Sequence, residues 1–196
     1  MPPEQKATVI VILLLGIFIF HAPIQSAAVA SYGFFREVIQ VVTGEEQRHI
    51  REIFPEADAF SSKGGDLPHY KAYKIDPQTD QRTLVGFVFF TTDIEPRERG
   101  YEGPIEIAVA MNTKGMITQI KVVENHEPYG YFSIDQPRFA AQFRNKSILD
   151  SFRIRRDIDA VTRATISVAS ASRVIRKSAR RIARLYLVKE GGDGAQ

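Results

Sequence analysis

Two neighbouring segments near the middle of the chain are typical of a β-hairpin. The stretches PIEIAVAM (104–111) and MITQIKVVE (116–124) place apolar residues at alternate positions, which is the pattern of strands with one buried face. The connection between them, NTKG, contains the glycine that tight hairpin turns favour. YKAYKI (70–75) and TLVGFVFFTT (83–92) also have the composition of strands. We expect the second of these to be the central strand, with Gly86 at a bulge or a close approach.

Apolar residues at helical spacing lie on both sides of these strands. Residues 32–54 predict two short helices that separate near Thr43, which could cap the second one. Residues 137–143 predict a short helix that begins at a proline, and residues 165–188 predict a long one. The long helix has an apolar face that is expected to pack, formed by Val168, Ala171, Ile175, Ala179, Ile182 and Tyr186.

The order of these elements defines the expected fold class. Helices, then antiparallel strands, then helices indicate an α+β fold, whereas a parallel sheet requires strands and helices to alternate. We therefore expect a single domain over residues 31–190, with an antiparallel sheet flanked by helices. A polar tail follows at 191–196.

The first 30 residues carry a targeting signal. The unbroken apolar run ATVIVILLLGIFIF (7–20) is shorter than the roughly 20 residues that span a bilayer. Ala28-Val29-Ala30 matches the small-residue pattern of a signal peptidase site. One interpretation is a signal peptide cleaved after Ala30, and the other is an uncleaved anchor helix that associates the chain with the membrane. Both predict an extracytoplasmic protein, in the periplasm or on the outer face of the inner membrane.

Composition excludes several classes of site. The chain has 196 residues, of which 44% are hydrophobic and 25% charged, as in ordinary globular proteins. Because it has no cysteine, disulfides, thiolate zinc sites, cysteine-ligated iron–sulfur clusters and thioether-attached haem are excluded. Its four histidines show no metal-binding spacing, and no Ser-His-Asp arrangement is evident. We predict no metal site and no catalytic residue of its own.

The long helix is strongly basic. It carries Arg173, Arg176, Lys177, Arg180, Arg181 and Arg184. A solvated surface is the simplest interpretation, and docking to an acidic redox partner or to anionic lipid are the alternatives. A net charge of +3 is too small to indicate nucleic acid, and we expect none in an exported protein.

The segment DAVTRATIS (159–167) precedes this basic helix. One interpretation is capping, in which Thr162 is the N-cap, Asp159 favours the positive end of the helix, and Thr165 bonds to a backbone carbonyl. The other is an anion site, because the first turn of a helix presents unpaired N–H groups and Arg163 and the hydroxyls of Thr165 and Ser167 add donors. A phosphate would account for these donors, but physical reasoning alone goes no further than an anion site.

The same segment resembles the flavinylation signature of the FMN-binding domain family. That signature runs Asp, two spacers, Thr, one spacer, Ala, Thr, and here it falls on Asp159, Thr162, Ala164 and Thr165. The family includes flavin subunits of the Rnf complex and of Na+-pumping NADH:quinone oxidoreductases, and the periplasmic domain of NosR-type regulators. The resemblance implies that a flavin transferase joins FMN to the Thr165 hydroxyl as a phosphoester. Arg163 stands where the family usually has glycine.

A second block, RGYEGPIEIAVAMNTKGMITQIKVVENHEP (99–128), is similar to the central region of the same family. The segment HEPYG (126–130), which overlaps the end of this block, is closer to the NosR-type branch. The resemblance adds a ring-binding loop that contains Gly100, Tyr101, Gly103 and Pro104, in which glycines permit close approach and Tyr101 can stack on the ring. His126 and Glu127 are candidates for tuning the electronic properties of the flavin.

The implied function is electron transfer. The resemblance predicts an extracytoplasmic protein with covalent FMN that passes electrons between redox partners, in a membrane complex or through a periplasmic carrier, without being a stand-alone enzyme. Two alternatives stay open. The domain could be a flavin-based redox sensor or regulatory module of the NosR type, or a flavin-free binding domain of the cell envelope.

Overall fold

The computed structural model describes residues 44–186. Contacts divide the chain into a unit of residues 1–46 and a compact unit of residues 47–196. The predicted signal or anchor segment (1–30), the first predicted helix and the polar tail (191–196) lie outside the described residues. Among the described residues, no helix combines the length and apolar character needed to cross a bilayer.

The described part of the chain contains a five-stranded antiparallel sheet with helices around it. The strands follow the order β1-β2-β3-β4-β5, so each pairs with its neighbours in sequence. The predicted α+β fold is therefore confirmed, and β3 is the central strand as expected. The elements are α1 (Gly44–Ile53), β1 (Ala59–Phe60), β2 (Tyr70–Ile75), β3 (Arg82–Phe90), α2 (Thr91–Ile94), β4 (Glu106–Asn112), β5 (Ile117–Glu124), a 3-10 turn (Gly130–Phe132), α3 (Pro137–Ala141) and α4 (Thr165–Tyr186).

The sheet is covered on both faces, which explains its hydrophobic central strands. Successive residues of a strand point to opposite faces, and β3 sends Phe87 and Phe89 into one apolar cluster and Val88 and Phe90 into the other. The first cluster includes the predicted apolar face of α4, and the second includes Ile50 and Ile53 of α1 with Phe54. Strand β3 is therefore apolar on both sides.

Gly86 lies at a bulge and at a close approach, and both features were predicted. Pairing with β2 shifts so that Ala72 faces Gly86 and Tyr73 faces Leu84, which leaves Val85 unpaired in the register. A Cβ at position 86 would lie 2.4 Å from the carbonyl oxygen of Met111 and 2.7 Å from the ring of Phe54. Only glycine fits this space without movement of the neighbouring strand.

We expect Gly86→Ala to destabilise the fold by about 1–3 kcal/mol, the range for overpacking a well-filled core. Gly64→Ala is the matched control, because a Cβ at position 64 meets nothing within 4 Å. Urea unfolding monitored by circular dichroism measures both changes. Equal stability of the two variants would contradict the steric role of Gly86.

Strand β3 ends two residues earlier than the sequence pattern predicts. Thr91 and Thr92 belong to the short helix α2 instead of the strand. The Thr91 hydroxyl donates to the Ile105 carbonyl at 3.1 Å and accepts from the Ile107 N–H at 3.0 Å. These bonds attach the turn to the start of β4, close to the loop at Gly100.

Candidate functional site

Helix α4 begins at Thr165, the last residue of the flavinylation signature. The Val168 N–H donates to the Ala164 carbonyl at 3.0 Å, so Ala164 accepts the first intrahelical hydrogen bond and occupies the N-cap position. The prediction that Thr162 is the N-cap is therefore wrong, because Thr162 precedes the N-cap by two residues. The prediction that Thr165 bonds to a backbone carbonyl is confirmed, because its hydroxyl donates to the Val161 carbonyl.

The turn before the helix has an unusual backbone conformation. Arg163 has a φ of 67°, which lies in the left-handed region that glycine adopts readily and other residues rarely adopt. The family resemblance places glycine at this position, and the present chain makes a glycine-type turn with arginine. A non-glycine residue held in this region costs about 1–3 kcal/mol.

We expect Arg163→Gly to stabilise the protein by about 1 kcal/mol, since it relieves the left-handed strain and loses part of the gain to the flexibility of the unfolded chain. Arg163→Ala is the control, because it removes the guanidinium and keeps the Cβ. Thermal unfolding of the protein without flavin separates the two effects. If Arg163→Ala is stabilised as much as Arg163→Gly, the backbone strain is not the cause.

A half-buried carboxylate organises the loop that leads to this turn. Asp157 accepts hydrogen bonds from the Ser151 hydroxyl at 2.6 Å and from the N–H groups of Phe152 and Arg153 at 2.9 and 2.7 Å. Its carboxylate also pairs with Lys146 at 3.4 Å. Burial alone raises the pKa of Asp157, but these donors outweigh it and hold the pKa far below its ordinary value. The sequence analysis missed this residue, because nothing local distinguishes it from Asp159.

Thr165 lines a pocket of about 590 Å³, which is a volume typical of ligand sites. The pocket is lined by Tyr101, Glu102, Pro128, Tyr129, Arg163, Ala164, Thr165, Ile166 and Ser167. The Thr165 side chain is exposed, and its hydroxyl donates to the Val161 carbonyl at 3.3 Å. Within residues 44–186, the first-turn N–H groups of Thr165, Ile166 and Ser167 have no backbone acceptor. Unpaired N–H groups at a helix start favour an anion.

Three large side chains with apolar surface line the same pocket and are exposed to solvent. Tyr101 is 64% exposed, Ile166 is 58% exposed and Tyr129 is 42% exposed. Burying such surface against a ligand is favourable, and aromatic faces suit a flat ring. The sequence predicted Tyr101 but missed Tyr129 and Ile166. Tyr129 comes two residues after Glu127 in the HEPYG segment, which was the available signal.

Glu127 joins the loop at Gly100 to the start of α4. The buried carboxylate accepts hydrogen bonds from the N–H groups of Tyr101 and Glu102 at 3.0 and 3.1 Å, and from the hydroxyl of Ser167. Burial by itself raises the pKa of Glu127. The Ser167 hydroxyl and the loop N–H groups outweigh burial, so the pKa lies below its ordinary value and the group is ionised at neutral pH.

The carboxylate of Glu127 leaves no space for a side chain at position 100, which is therefore glycine. A Cβ at position 100 would lie 2.3 Å from Oε1 of Glu127, whereas a Cβ at Gly103 would have open space within 4 Å. The predicted reason for Gly100 was close approach to a flat ring, and the structure gives the approach to Glu127 instead. The loop is tied to α4 at a second point, because the Ser170 hydroxyl donates to the Arg99 carbonyl.

The remaining predicted site residues lie away from the pocket that contains Thr165. Asp159 and Thr162 line a neighbouring cavity of about 520 Å³ together with Gln142, whose side-chain oxygen accepts from the Asp159 N–H at 2.7 Å. Pro104 and His126 line a small separate cavity of about 150 Å³. The predicted residues that line the pocket are Tyr101, Arg163, Ala164, Thr165 and Ser167. Gly100, Gly103 and Glu127 are attached to them through the loop. Four predicted residues lie outside this pocket: Pro104, His126, Asp159 and Thr162.

Metal ligands do not form a cluster in the described residues. Within residues 44–186, no group of three or more His, Asp or Glu side chains could hold a metal ion.

Fold and pocket together define an α+β domain with a ligand site at the N-terminus of its 22-residue helix. Residues 100–180 match the FMN-binding domain family. The match covers the Gly100 loop, strands β4 and β5, and α4 as far as Arg180, so this part of the chain is similar to that family. No curated protein matched the chain.

The pocket fits FMN in three respects. It has the volume of a ligand site, and its helix start offers N–H donors to a phosphate. Exposed aromatic and aliphatic side chains, Tyr101, Tyr129 and Ile166, offer surface to a flat ring. Flavin binding is thus consistent with both the family and the site.

Proposed function

We propose that this protein is an extracytoplasmic electron-transfer protein in which FMN is joined to Thr165 through a phosphoester. The observation that carries the proposal is the position of the Thr165 hydroxyl, which is exposed at the first residue of α4 and lies inside the pocket. FMN bound there supplies reversible electron transfer, and the chain supplies attachment and orientation.

Two sets of hydrogen-bond donors around Thr165 suit a phosphate. The first-turn N–H groups of α4 point toward the helix N-terminus, where the helix dipole also favours negative charge. Arg163 lines the same pocket and brings a cation whose planar donors match phosphate oxygens. In the attachment, the Thr165 oxygen would bond to phosphorus, one phosphorus–oxygen bond of the FMN phosphate would break, and the departing oxygen would leave as water with the threonine proton. A flavin transferase is the partner that this step requires.

The exposed walls suit the ring. Tyr101 lies on the loop that Glu127 holds. Tyr129 lies two residues after Glu127 and lines the same pocket. Because Glu127 and Ser170 fix the loop to α4, Tyr101 is held at the pocket without needing the ligand. The pocket is therefore largely formed before FMN arrives, which limits the ordering cost of binding.

We expect Tyr101→Ala to change the absorbance spectrum or reduction potential of bound flavin and to leave its attachment intact, because Tyr101 lines the pocket whereas the attachment uses the hydroxyl of Thr165. Tyr131→Ala is the matched control, since Tyr131 is 67% exposed and does not line this pocket. Spectroelectrochemistry of both variants measures the change. Identical spectra and potentials for Tyr101→Ala and wild type would remove Tyr101 from the ring site.

The wild-type protein provides the main test. After co-expression with a flavin transferase and export, the intact mass should increase by FMN minus one water, and the band should fluoresce in a denaturing gel. The same preparation should pass electrons from a donor fraction to an acceptor fraction of the host envelope. A flavin that changes partner affinity with redox state but carries no electron flow would instead identify a sensor, and an unmodified mass would reject the covalent proposal.

The proposed location and partners rest on the N-terminal apolar run and on the family. We propose that the chain functions in the periplasm or on the outer face of the inner membrane, next to a membrane complex or a periplasmic carrier. Cell fractionation tests this location. Full-length chain in the soluble cytosolic fraction would contradict it.

A further inference from the structure

The outer face of α4 presents a basic groove far from the flavin pocket. The groove has a volume of about 410 Å³ and is lined by Glu95, Arg176, Lys177, Arg180, Arg181 and Arg184. At 1.5 Å per residue, its centre near Arg180 lies about 22 Å along the helix from Thr165. The groove is thus a second surface feature, distinct from the site at the helix start.

Two rows of cations flank the groove, and hydrogen bonds hold most of them in place. On one side, Arg173 pairs with Glu98 at 2.9 Å, and Lys177 pairs with the same carboxylate. Arg181 pairs with Glu95 at 3.0 Å. The cations therefore outnumber the acids that neutralise them, and they project from a rigid helix instead of from flexible loops.

The opposite row ties a loop to the helix. Arg180 donates to the carbonyls of Ile148 and Asp150 at 2.6 and 2.9 Å, and Arg176 donates to the Ser151 carbonyl at 3.0 Å. Leu149 lies between the two carbonyls that Arg180 holds, and it is 85% exposed. The structure thus fixes a protruding apolar side chain at the edge of a cationic groove.

The charge of this surface is large for the chain. Six cationic side chains on α4, set against the carboxylates of Glu95, Glu98 and Asp150, leave a formal excess of three positive charges. This excess equals the formal net charge of the whole chain, +3. The charges of the rest of the chain therefore cancel in sum, this surface has a local positive excess, and the expected partner is an anionic surface.

We propose that this surface, Arg176 to Arg184 with Leu149, docks the domain on an anionic lipid bilayer. A cationic face beside an exposed leucine is the chemistry that peripheral proteins use at lipid surfaces. A protein that exchanges electrons with the flavin has to reach the pocket at the other end of α4, about 22 Å away. Contact with lipid through the basic groove leaves that end accessible, so the groove orients the domain without blocking the pocket.

The proposal can be tested with a single tryptophan, because the chain has none. Leu149→Trp is introduced into the full chain, which is reconstituted into vesicles of equimolar phosphatidylglycerol and phosphatidylcholine, or of phosphatidylcholine alone. Any N-terminal anchor tethers the domain equally in both. We expect the tryptophan emission of Leu149→Trp to shift to shorter wavelength with the anionic vesicles and not with phosphatidylcholine vesicles. The shift should be lost in 1 M salt, where the Debye length falls to about 3 Å.

Two matched controls define the surface. Tyr131→Trp reports from an exposed position outside the groove and should not shift. On the Leu149→Trp background, Arg184→Glu should reduce the shift, whereas Lys114→Glu, an equal charge change at the exposed β4–β5 turn, should not. Equal shifts at both tryptophans, equal shifts in both lipids, or equal effects of the two charge reversals would overturn the proposal.

Competing occupants give different results. Loss of the shift in inorganic phosphate, but not in chloride of the same ionic strength, would assign the groove to free phosphate and reject the bilayer. An emission shift with soluble envelope proteins and none with anionic vesicles would assign it to an acidic protein and also reject the bilayer. None of these measurements needs bound flavin, so their outcome is independent of the attachment at Thr165.

Discussion

Thr165→Ala and Thr165→Val are each expected to give a folded protein that carries no covalent flavin. Both substitutions delete the hydroxyl oxygen that the phosphoester requires. Folding should survive because the side chain is exposed, its hydrogen bond to Val161 is 3.3 Å long, and alanine is a better helix former than threonine. Intact mass after co-expression with a flavin transferase and export measures the effect, which should be a complete loss of the added FMN.

The controls for Thr165 come from the same signature. Thr165→Ser keeps a hydroxyl at the same helix position and should retain attachment. Thr162→Ala removes a hydroxyl three residues earlier, in the neighbouring cavity, and should lower the yield at most. If Thr165→Ala still gains the mass of FMN and fluoresces in a denaturing gel, the acceptor is another residue.

Glu127→Gln is expected to destabilise the protein by about 1–3 kcal/mol, the cost of leaving buried hydrogen-bonding groups without a suitable partner. Tyr101 and Glu102 donate their N–H groups to different oxygens of the carboxylate, so a glutamine amide would accept from one of them and place its own N–H donors against the other. The loop should detach from α4 and carry Tyr101 with it. In flavin-loaded protein, the absorbance spectrum should therefore change together with stability.

The pH dependence gives a second readout of the same carboxylate. Its pKa is lower in the folded protein than in the unfolded chain, so its contribution to stability is present above the unfolded value of about 4.3. That contribution is lost as the pH falls through the folded pKa. The difference in unfolding free energy between wild type and Glu127→Gln should shrink below about pH 4.

Glu124→Gln is the matched control for this prediction. Glu124 is exposed at the end of β5, and surface substitutions of this kind usually change stability by less than about 0.5 kcal/mol. Chemical unfolding at neutral and acidic pH compares the two variants. A Glu127→Gln protein as stable as Glu124→Gln at neutral pH would show that the carboxylate does not hold the loop.

The sequence by itself predicted strands β2 to β5 and the fold class, and it indicated a resemblance to the FMN-binding domain family, but it missed β1. Strand positions follow from side chains that alternate along a short piece of chain, and β2 was predicted with its observed ends. Gly86 was identified because glycine inside an apolar strand needs a local reason, and the structure supplies two. The flavinylation signature and the Gly100 block are contiguous motifs, so they can be recognised without knowing the fold.

Only the tertiary structure decided which motif residues meet. Glu127 was expected to tune a ring, but its hydrogen bonds reach residues 26 and 40 positions away in the chain. Asp159 and Thr162 lie within six residues of Thr165, yet the left-handed turn at Arg163 accompanies their placement in a different cavity. Sequence separation therefore did not predict spatial separation.

The basic residues of α4 make the same point for the surface. Their spacing predicted a solvated face, but five of them hold loops through carbonyl and carboxylate groups: Arg173, Arg176, Lys177, Arg180 and Arg181. Periodicity records which side of a helix is polar, because that depends on the helix alone. The partners of the polar side depend on which loops the sheet places beside the helix. No local pattern in the sequence predicts which loops these are.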